Sequence, residues 1–248
     1  MQANEWFRLW FGSPYYDVLY RNRNKEEAAK LIDKLVNYLN IPTGSYVLDA
    51  ACGKGRHSIA LAANGFDVTG IDICPFAIEG AKKYETDHLH FYLHDMRLPF
   101  YINYFNYAFN FFTSFGYFRT MREHNDAMRT IAQSLKINGV FTIDYLNVQF
   151  AEANLKSKES VEIENIFFDI ERHSDEKYFY KKIAVHDTLK NINEEFTERV
   201  EKFSLGDFTN MLSYQGLKIE NVFGDYDLNK YDAKNSTRMI ILAKKIHV

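Results

Sequence analysis

Apolar positions along the chain follow two rhythms. Ala28, Leu31, Ile32, Leu35, Val36 and Leu39 recur at three- and four-residue spacing, the signature of one helix face, and Asn24 with Glu27 forms a capping-box pattern at its start. From Tyr46 onward, short apolar runs of strand length alternate with helical stretches, and Gly, Pro or Asn stands at each junction. The runs predict strands at Tyr46 to Asp49, Asp67 to Asp72, His90 to His94, Tyr107 to Phe112 and Val140 to Leu146. A helix is expected from about Arg56 to Ala63, closed by Asn64-Gly65, and Pro75 opens the next at its first turn. Thr120 and Glu123 cap the helix before the fifth strand, and Asn138-Gly139 is expected to end it. The fourth run, YAFNFF, is almost continuously apolar, as a strand covered on both faces should be. Strand and helix in alternation predict a parallel sheet.

Residues 161–204 break that grammar. IENIFFDIERHS, KYFYKKIAVHDT and EFTERVEKFS alternate without helical period and are joined by turn-like DE and KNIN, which predicts an inserted antiparallel sheet of three strands. Its aromatics Phe167, Phe168, Tyr178 and Tyr180 are expected to be exposed, forming a lid wall or a dimer surface. Gly206 to Tyr214 reads as a helix, and LKIENVF and RMIILAKK as two last strands, the second with an exposed basic end.

Composition narrows the class. With 46% hydrophobic residues and a formal charge of −3, the 248-residue chain has material for a core and no basic field to gather nucleic acid. No apolar run approaches the roughly 20 residues of a membrane span, and the first residues do not resemble a secretory signal, so a cytoplasmic protein without nucleic-acid or membrane partners is expected. Cys52 and Cys74 alone give neither a disulfide framework nor a zinc site, and no metal is expected. His90 and His94 share a strand face, but no further ligands accompany them.

Chemistry concentrates at VLDAACGKGR, Val47 to Arg56. Glycines between a strand and a helix let backbone approach a ligand closely, and the helix start offers N–H groups. Asp72 ends the second strand, where doubly wound folds place an acid on ribose hydroxyls, and Asp95 ends the third, so three acids share the carboxyl edge of one sheet. Ser58 stands where a dinucleotide fingerprint has its third glycine. Asp49 would repel a pyrophosphate and favour a ligand with an ammonium and a sulfonium.

In order, YVLDAACGKGRHSIALAANGFDVTGIDI, HDMR, FNFFTSFGYF and FTIDYLNV resemble the motifs of class I S-adenosylmethionine-dependent methyltransferases of the small-molecule type. The resemblance implies a Rossmann-like α/β fold: a doubly wound, seven-stranded, mostly parallel sheet with an antiparallel β subdomain inserted after the fifth strand. It divides the chain into an N-terminal helical cap (1–44), a cofactor-binding core (45–160), the insertion (161–204) and the C-terminal part of the core (205–248). The implied cofactor is S-adenosylmethionine (SAM), released as S-adenosylhomocysteine (SAH). Family precedent puts Asp49 and the loop of Ala50, Ala51, Gly53 and Gly55 at the methionine ammonium, Asp72 at the ribose, and Asp95 with the Met96 backbone at the adenine. Ile73 and Phe111 complete this set. Ala51 replaces the family's first glycine, and Asn106 its aspartate at the start of strand four.

Beyond the core motifs, Tyr15, Tyr16 and Tyr20 surround Asp17, and a segment in this position folds over the cofactor in related enzymes; Tyr16 and Arg23 are candidate contacts, with Arg21 beside them. NFFTSFGYF lacks the pattern of base-amine methylation, which leaves a small-molecule acceptor with an N or O atom as nucleophile. Phe115, Tyr117 and Arg119 are expected near the transfer site. Tyr117 and His186, with Asp144 on strand five, are the candidate acid–base residues. A nicotinamide-dependent (NAD(P)) oxidoreductase and a non-catalytic SAM-binding protein remain alternatives, and a homodimer is compatible with the insertion.

Overall fold

The computed structural model describes residues 5–21 and 25–246. Asn24 and Arg23, one expected as a helix cap and the other as a cofactor contact, lie outside the described residues. In chain order the elements are α1 (Trp6–Phe11), α2 (Pro14–Leu19), α3 (Lys25–Leu39), β1 (Tyr46–Ala50), α4 (Arg56–Ala63), β2 (Asp67–Asp72), α5 (Pro75–Lys82), β3 (Leu89–Leu93), β4 (Phe105–Asn110), α6 (Met121–Ser134) and β5 (Leu135–Leu146). After these come α7 (Val148–Ala153), β6 (Lys158–Ile163), β7 (Ile166–Ser174), β8 (Tyr178–Asp187), β9 (Ile192–Glu201), α8 (Leu205–Tyr214), β10 (Leu217–Phe223) and β11 (Arg238–Lys245).

Seven strands form one sheet in the order β10-β11-β5-β4-β1-β2-β3. The pairs from β3 to β5 are parallel, and β11 and β10 are antiparallel. The order reverses between β1 and β4, and such a reversal opens a crevice at the strands' carboxyl ends. Period-two alternation sorts β11 onto both faces. Met239, Ile241 and Ala243 join the core under α6 and α8, while Ile240 and Leu242 face α3, α4 and α5. Leu31, Ile32 and Leu35 of the predicted helix are buried there.

The structure corrects several boundaries. Helix α6 carries the expected Thr120–Glu123 capping box but ends at Ser134, and Asn138-Gly139 falls inside β5. Asn138 takes a left-handed φ of 65° and the pairing with β4 shifts there, so the dipeptide bends a long strand rather than ending a helix. The basic end of β11 is not exposed: Lys245 is buried, donating to the Leu135 carbonyl.

The insertion has four strands, β6-β7-β8-β9, all antiparallel. The unexpected β6 carries only Val161 and Ile163 as apolar residues, too weak a pattern to read. Phe168 is fully buried, not exposed, and packs with Ile170, Ile183 and Val185 against Trp10 and Tyr15 of α1 and α2. Phe167, one position earlier, points the other way and is exposed. The inner face of the insertion thereby clamps the N-terminal helices over the sheet's carboxyl edge.

Candidate active site

Between that edge, the N-terminal helices and the insertion lies a cavity of about 520 Å³. Its floor begins at the β1–α4 turn, where Ala51, Gly53 and Gly55 take φ values of 61°, 57° and 80°. The two glycines serve different ends. A Cβ on Gly53 would meet nothing within 4 Å, so glycine leaves the cavity open, whereas one on Gly55 would strike the Phe91 ring at 2.5 Å. Gly55 is needed for packing under the loop and does not line the cavity. Ala51 adopts the left-handed conformation despite its Cβ and does line it.

Asp72 fixes this turn from the end of β2. Its two carboxylate oxygens accept from the Gly53 N–H at 2.9 Å and the Cys74 N–H at 2.8 Å, and the residue lines the cavity beside Ile73. Burial pushes its carboxyl above the ordinary range, against those two backbone donors. Asp49 behaves differently from expectation. It is only 1% exposed, lies beneath the loop, and accepts from Ser58 Oγ at 2.5 Å without reaching the cavity wall. Burial drives its pKa up to about 7, against the pull of Ser58. Ser58, in place of a third glycine, is therefore the partner of this carboxyl. Ala50 is likewise buried below the surface.

Asp95 and Met96 line the next section. Arg97 grips Asp95 with Nε at 3.0 Å and Nη2 at 2.6 Å, and its other guanidinium nitrogen reaches Glu5 at 2.8 Å and Glu123 at 3.2 Å. Burial alone would raise the Asp95 carboxyl; the Arg97 hydrogen bonds and charge outweigh it and hold the group below the usual carboxylate range. This cluster ties the residue before α1 to β3 and α6.

At the ends of β4 and β5 the chain turns through Phe112 and Thr113, both left-handed at φ 65° and 58°. Two successive non-glycine residues in that region persist only if their surroundings hold them. Asp144 does so: Oδ2 accepts from the Phe112 N–H at 2.9 Å and from Tyr226 at 3.0 Å, while Oδ1 receives Arg238 Nε at 2.8 Å. Arg238 Nη2 also donates to Thr113 Oγ1 at 2.9 Å. Burial first, then the Asp144 charge, keeps the Tyr226 phenol far above its ordinary value. Asp144 is wholly buried in this network, which makes it the loop's anchor and removes it as a base.

Aromatic side chains close the cavity. Tyr117 lies 5.0 Å from Trp6 and 5.5 Å from Phe11, ring centre to ring centre, and Tyr16 lies 5.1 Å from Phe11; Tyr117, Phe111 and Tyr16 all line the space. Phe115 is buried in the core beneath, so its expected place at the transfer site is not met. Arg21 reaches the cavity but is paired with Glu164 at 2.6 Å. His186 is not in the site: it projects from the exposed outer face of β8, next to Asn193 Oδ1 at 2.5 Å, because strand alternation turns it away from its buried neighbours Val185 and Asp187. His94 lines the cavity and contacts the Leu98 carbonyl at 3.1 Å. Among the described residues no cluster of three or more His, Cys, Asp or Glu residues is placed to hold a metal ion.

A methyltransferase-domain family model matches residues 20–222, most of the chain, with β1 to β9 inside the match and β11 beyond it. The chain belongs to that family. It is an S-adenosylmethionine-dependent methyltransferase. The Bacillus subtilis protein YqeM is 24% identical over 93% of this chain and 94% of its own. A dTDP-3-amino-3,4,6-trideoxy-alpha-D-glucopyranose N,N-dimethyltransferase of Streptomyces venezuelae is 30% identical over 52% of this chain, and the match spans 54% of that protein. A shorter match, 39% identical, spans only 18% of the S-adenosyl-L-methionine-dependent Diels-Alderase iccD of Talaromyces variabilis. Among solved structures, a SAM-dependent methyltransferase of Clostridium acetobutylicum superposes with a TM-score of 0.76 at 18% identity, covering 93% of this chain and 96% of that one. The sugar N-methyltransferase KedS8 of Streptoalloteichus superposes at 0.73 with 19% identity, over 95% of this chain and 94% of its own.

Several residues that shape the methyltransferase's cavity carry no sequence signal. Glu198 and Arg238 come from β9 and β11, and their partners Trp10 and Asp144 are far away along the chain. Arg56 could have been found, since it opens α4 directly after the glycine turn; it pairs with Glu27 at 3.3 Å and lies 4.9 Å from the Phe112 ring centre. No described helix is long and apolar enough to cross a membrane.

Proposed function

We propose that this enzyme methylates a small-molecule acceptor held between the β4 and β5 ends and the insertion, with SAM lying along the sheet edge from β1 to β3. The observation that carries the reading is the cavity floor: an open position over Gly53, the Asp72 carboxylate at the end of β2 and the Asp95 carboxylate at the end of β3, in one continuous space. About 520 Å³ is within the range for sites that enclose a ligand of this size. In this reading Ala51 and Gly53 approach the methionine end, Asp72 accepts from the ribose hydroxyls, and Asp95, Met96 and Ile73 border the adenine. Phe111 and Tyr16 flank the middle, and Asp49 acts through the loop as a buried negative charge beneath the ammonium. When bound, SAM supplies a methyl group already activated on a sulfonium. The chain's task is to position the acceptor and exclude water, which suits the ring-lined roof of Phe7, Phe11 and Tyr117. Tyr117, at the acceptor side, is the candidate for orienting the nucleophile. The relatives described as sugar N-methyltransferases support an acceptor of small-molecule size.

Thermal unfolding with added ligand tests this. A ligand that binds only the folded state stabilises it by about 2.7 kcal/mol at one hundred times its dissociation constant. SAH is expected to raise Tm and NADH to leave it unchanged. The opposite preference would overturn the proposal and favour a nicotinamide enzyme.

A further inference from the structure

The insertion's inner face is apolar where it meets α1 and α2, yet it carries one carboxylate where it passes the cavity. On β9 the inward residues are Phe196, Glu198 and Val200; Phe196 stacks on Trp10 at 4.7 Å, and Glu198 and Val200 line the cavity. All of the contacts to Glu198 fall on one oxygen. Oε1 accepts from Trp10 Nε1 at 2.6 Å and Tyr20 Oη at 3.1 Å, and Lys181 Nζ stands 3.7 Å away. Among the described residues none bonds Oε2. The side chain retains 18% exposure and lines the cavity, so Oε2 has acceptor capacity left for a ligand. Glu198, Val200 and Leu146 also wall an adjoining cleft of about 180 Å³ between the insertion and α7, so a molecule seated at Glu198 has room to extend beyond the cofactor cavity.

We propose that Glu198 is the specificity-determining residue for the acceptor, and that its Oε2 receives the N–H groups of an amine. This rests on the reading of the cavity given under Proposed function. Two donors on Oε1, with the Lys181 charge nearby, hold the carboxylate in one orientation, and a carboxylate with a vacant oxygen is completed by a ligand that brings hydrogen-bond donors. An amine satisfies that demand with N–H groups; its ammonium form gives up one proton to Glu198 Oε2 or to water, and the freed lone pair then takes the methyl group as the S–CH3 bond breaks and SAH leaves. Before it gives up that proton it is cationic, and the Tyr16 ring lines the same space as the carboxylate, while the Tyr20 ring, 4.8 Å from it, carries the Lys181 ammonium at 4.6 Å. Lys181 stands on the Oε1 side, donates to Tyr20 Oη and lines the adjoining cleft. The insertion contributes no imidazole to the cavity, His186 being on the outer face; the imidazoles that line it, His57 and His94, come from the core.

Glu198→Gln tests the assignment with the full chain loaded with SAH. Glutamine keeps an oxygen for Trp10 and Tyr20 and presents N–H groups where Oε2 had accepted. SAH affinity by calorimetry is expected to stay within about threefold, a change below the tenfold that about 1.4 kcal/mol would produce. A fragment library of small primary and secondary amines, each paired with the alcohol that replaces nitrogen by oxygen, is then screened by ligand-observed NMR. The expected result is that amines bind the wild-type complex, their paired alcohols do not, and Glu198→Gln loses the amines by about tenfold or more. Amines retained by the variant, alcohols preferred by the wild type, or no amine bound at all would overturn the assignment. Failure of SAH to bind the wild type would instead overturn the cavity reading on which it rests.

Discussion

Asp49 gives a stability experiment whose sign depends on pH. In the unfolded chain this carboxyl ionises near its ordinary 3.8, and in the folded protein burial holds it at about 7. Between those values the folded state keeps a proton that the unfolded state has released, so Asp49 causes stability to fall as pH rises from about 4 to 7. At about 1.4 kcal/mol for each unit, the gap corresponds to roughly 4 kcal/mol of strain from an ionised buried carboxylate at pH 8, an upper bound because local relaxation reduces it. Asp49→Asn keeps an oxygen to accept from Ser58 and removes the charge. It is expected to stabilise the ligand-free protein by about 2 kcal/mol or more at pH 8 and by about zero at pH 4, below the window. Wild-type profiles alone would hide this. Burial lowers the fully buried His124 to about 4, so His124 contributes stability that is lost as pH falls below about 6.5, the opposite slope in nearly the same window. Urea denaturation of wild type and variant at pH 4, 6 and 8 isolates Asp49 in the difference. An equal effect at all three, or a loss at pH 8, would refute the reasoning. Since the same charge lies beneath the proposed ammonium site, the variant should also bind SAH more weakly while being more stable.

Three further outcomes follow from the geometry. Ala51→Gly relieves a left-handed alanine and should leave stability equal or raise it by up to about 1 kcal/mol, with the unfolded-chain entropy of glycine offsetting part of the gain; a clear loss in urea titrations would show that the alanine Cβ is needed. Arg238→Ala leaves Asp144 buried with its charge unpaired and should cost about 3–5 kcal/mol, whereas replacing both, Asp144→Asn with Arg238→Met, should cost distinctly less; equal losses would argue against the ion pair as the anchor of the Phe112–Thr113 turn. Phe168→Ala should cost about 3–5 kcal/mol in a single cooperative transition, because the insertion and the N-terminal helices share one apolar cluster; an insertion that melts separately, seen as a second transition, would contradict this.

Why some of this was legible and some was not comes down to sequence distance. The β1–α4 turn, Asp72 and Asp95 are local signals: each is a residue type at a strand end, and the strand ends are marked by apolar runs followed by Gly, Pro or Asn. They share one edge because parallel topology puts all carboxyl ends together whatever the details of packing. What a residue does at that edge is another matter. Asp49 and Asp72 look alike in sequence, two acids at the ends of two strands. Ser58 and the coil of the turn cover the first, while the second faces the cavity, and only the folded backbone distinguishes them. The insertion hides its inner face for a different reason. Strand alternation told that it was a sheet but not which face was inward, and with period two the choice of face decides whether Phe168 is lid or core and whether His186 or Glu198 meets the ligand. That choice is made by Trp10 and Tyr15, which lie more than 140 residues before β7 and have no pattern linking them to it. Such a cluster also constrains function. Because the helices that roof the cavity are held down by the insertion, a change in the insertion's core should reach the cofactor site. A linker replacing residues 161–204 should then weaken SAH by more than the tenfold that an independent lid would allow, and calorimetry on that variant, with circular dichroism to establish that the central sheet remains, separates a lid from a clamp. Unchanged SAH affinity would mean that α1 and α2 hold their place without it.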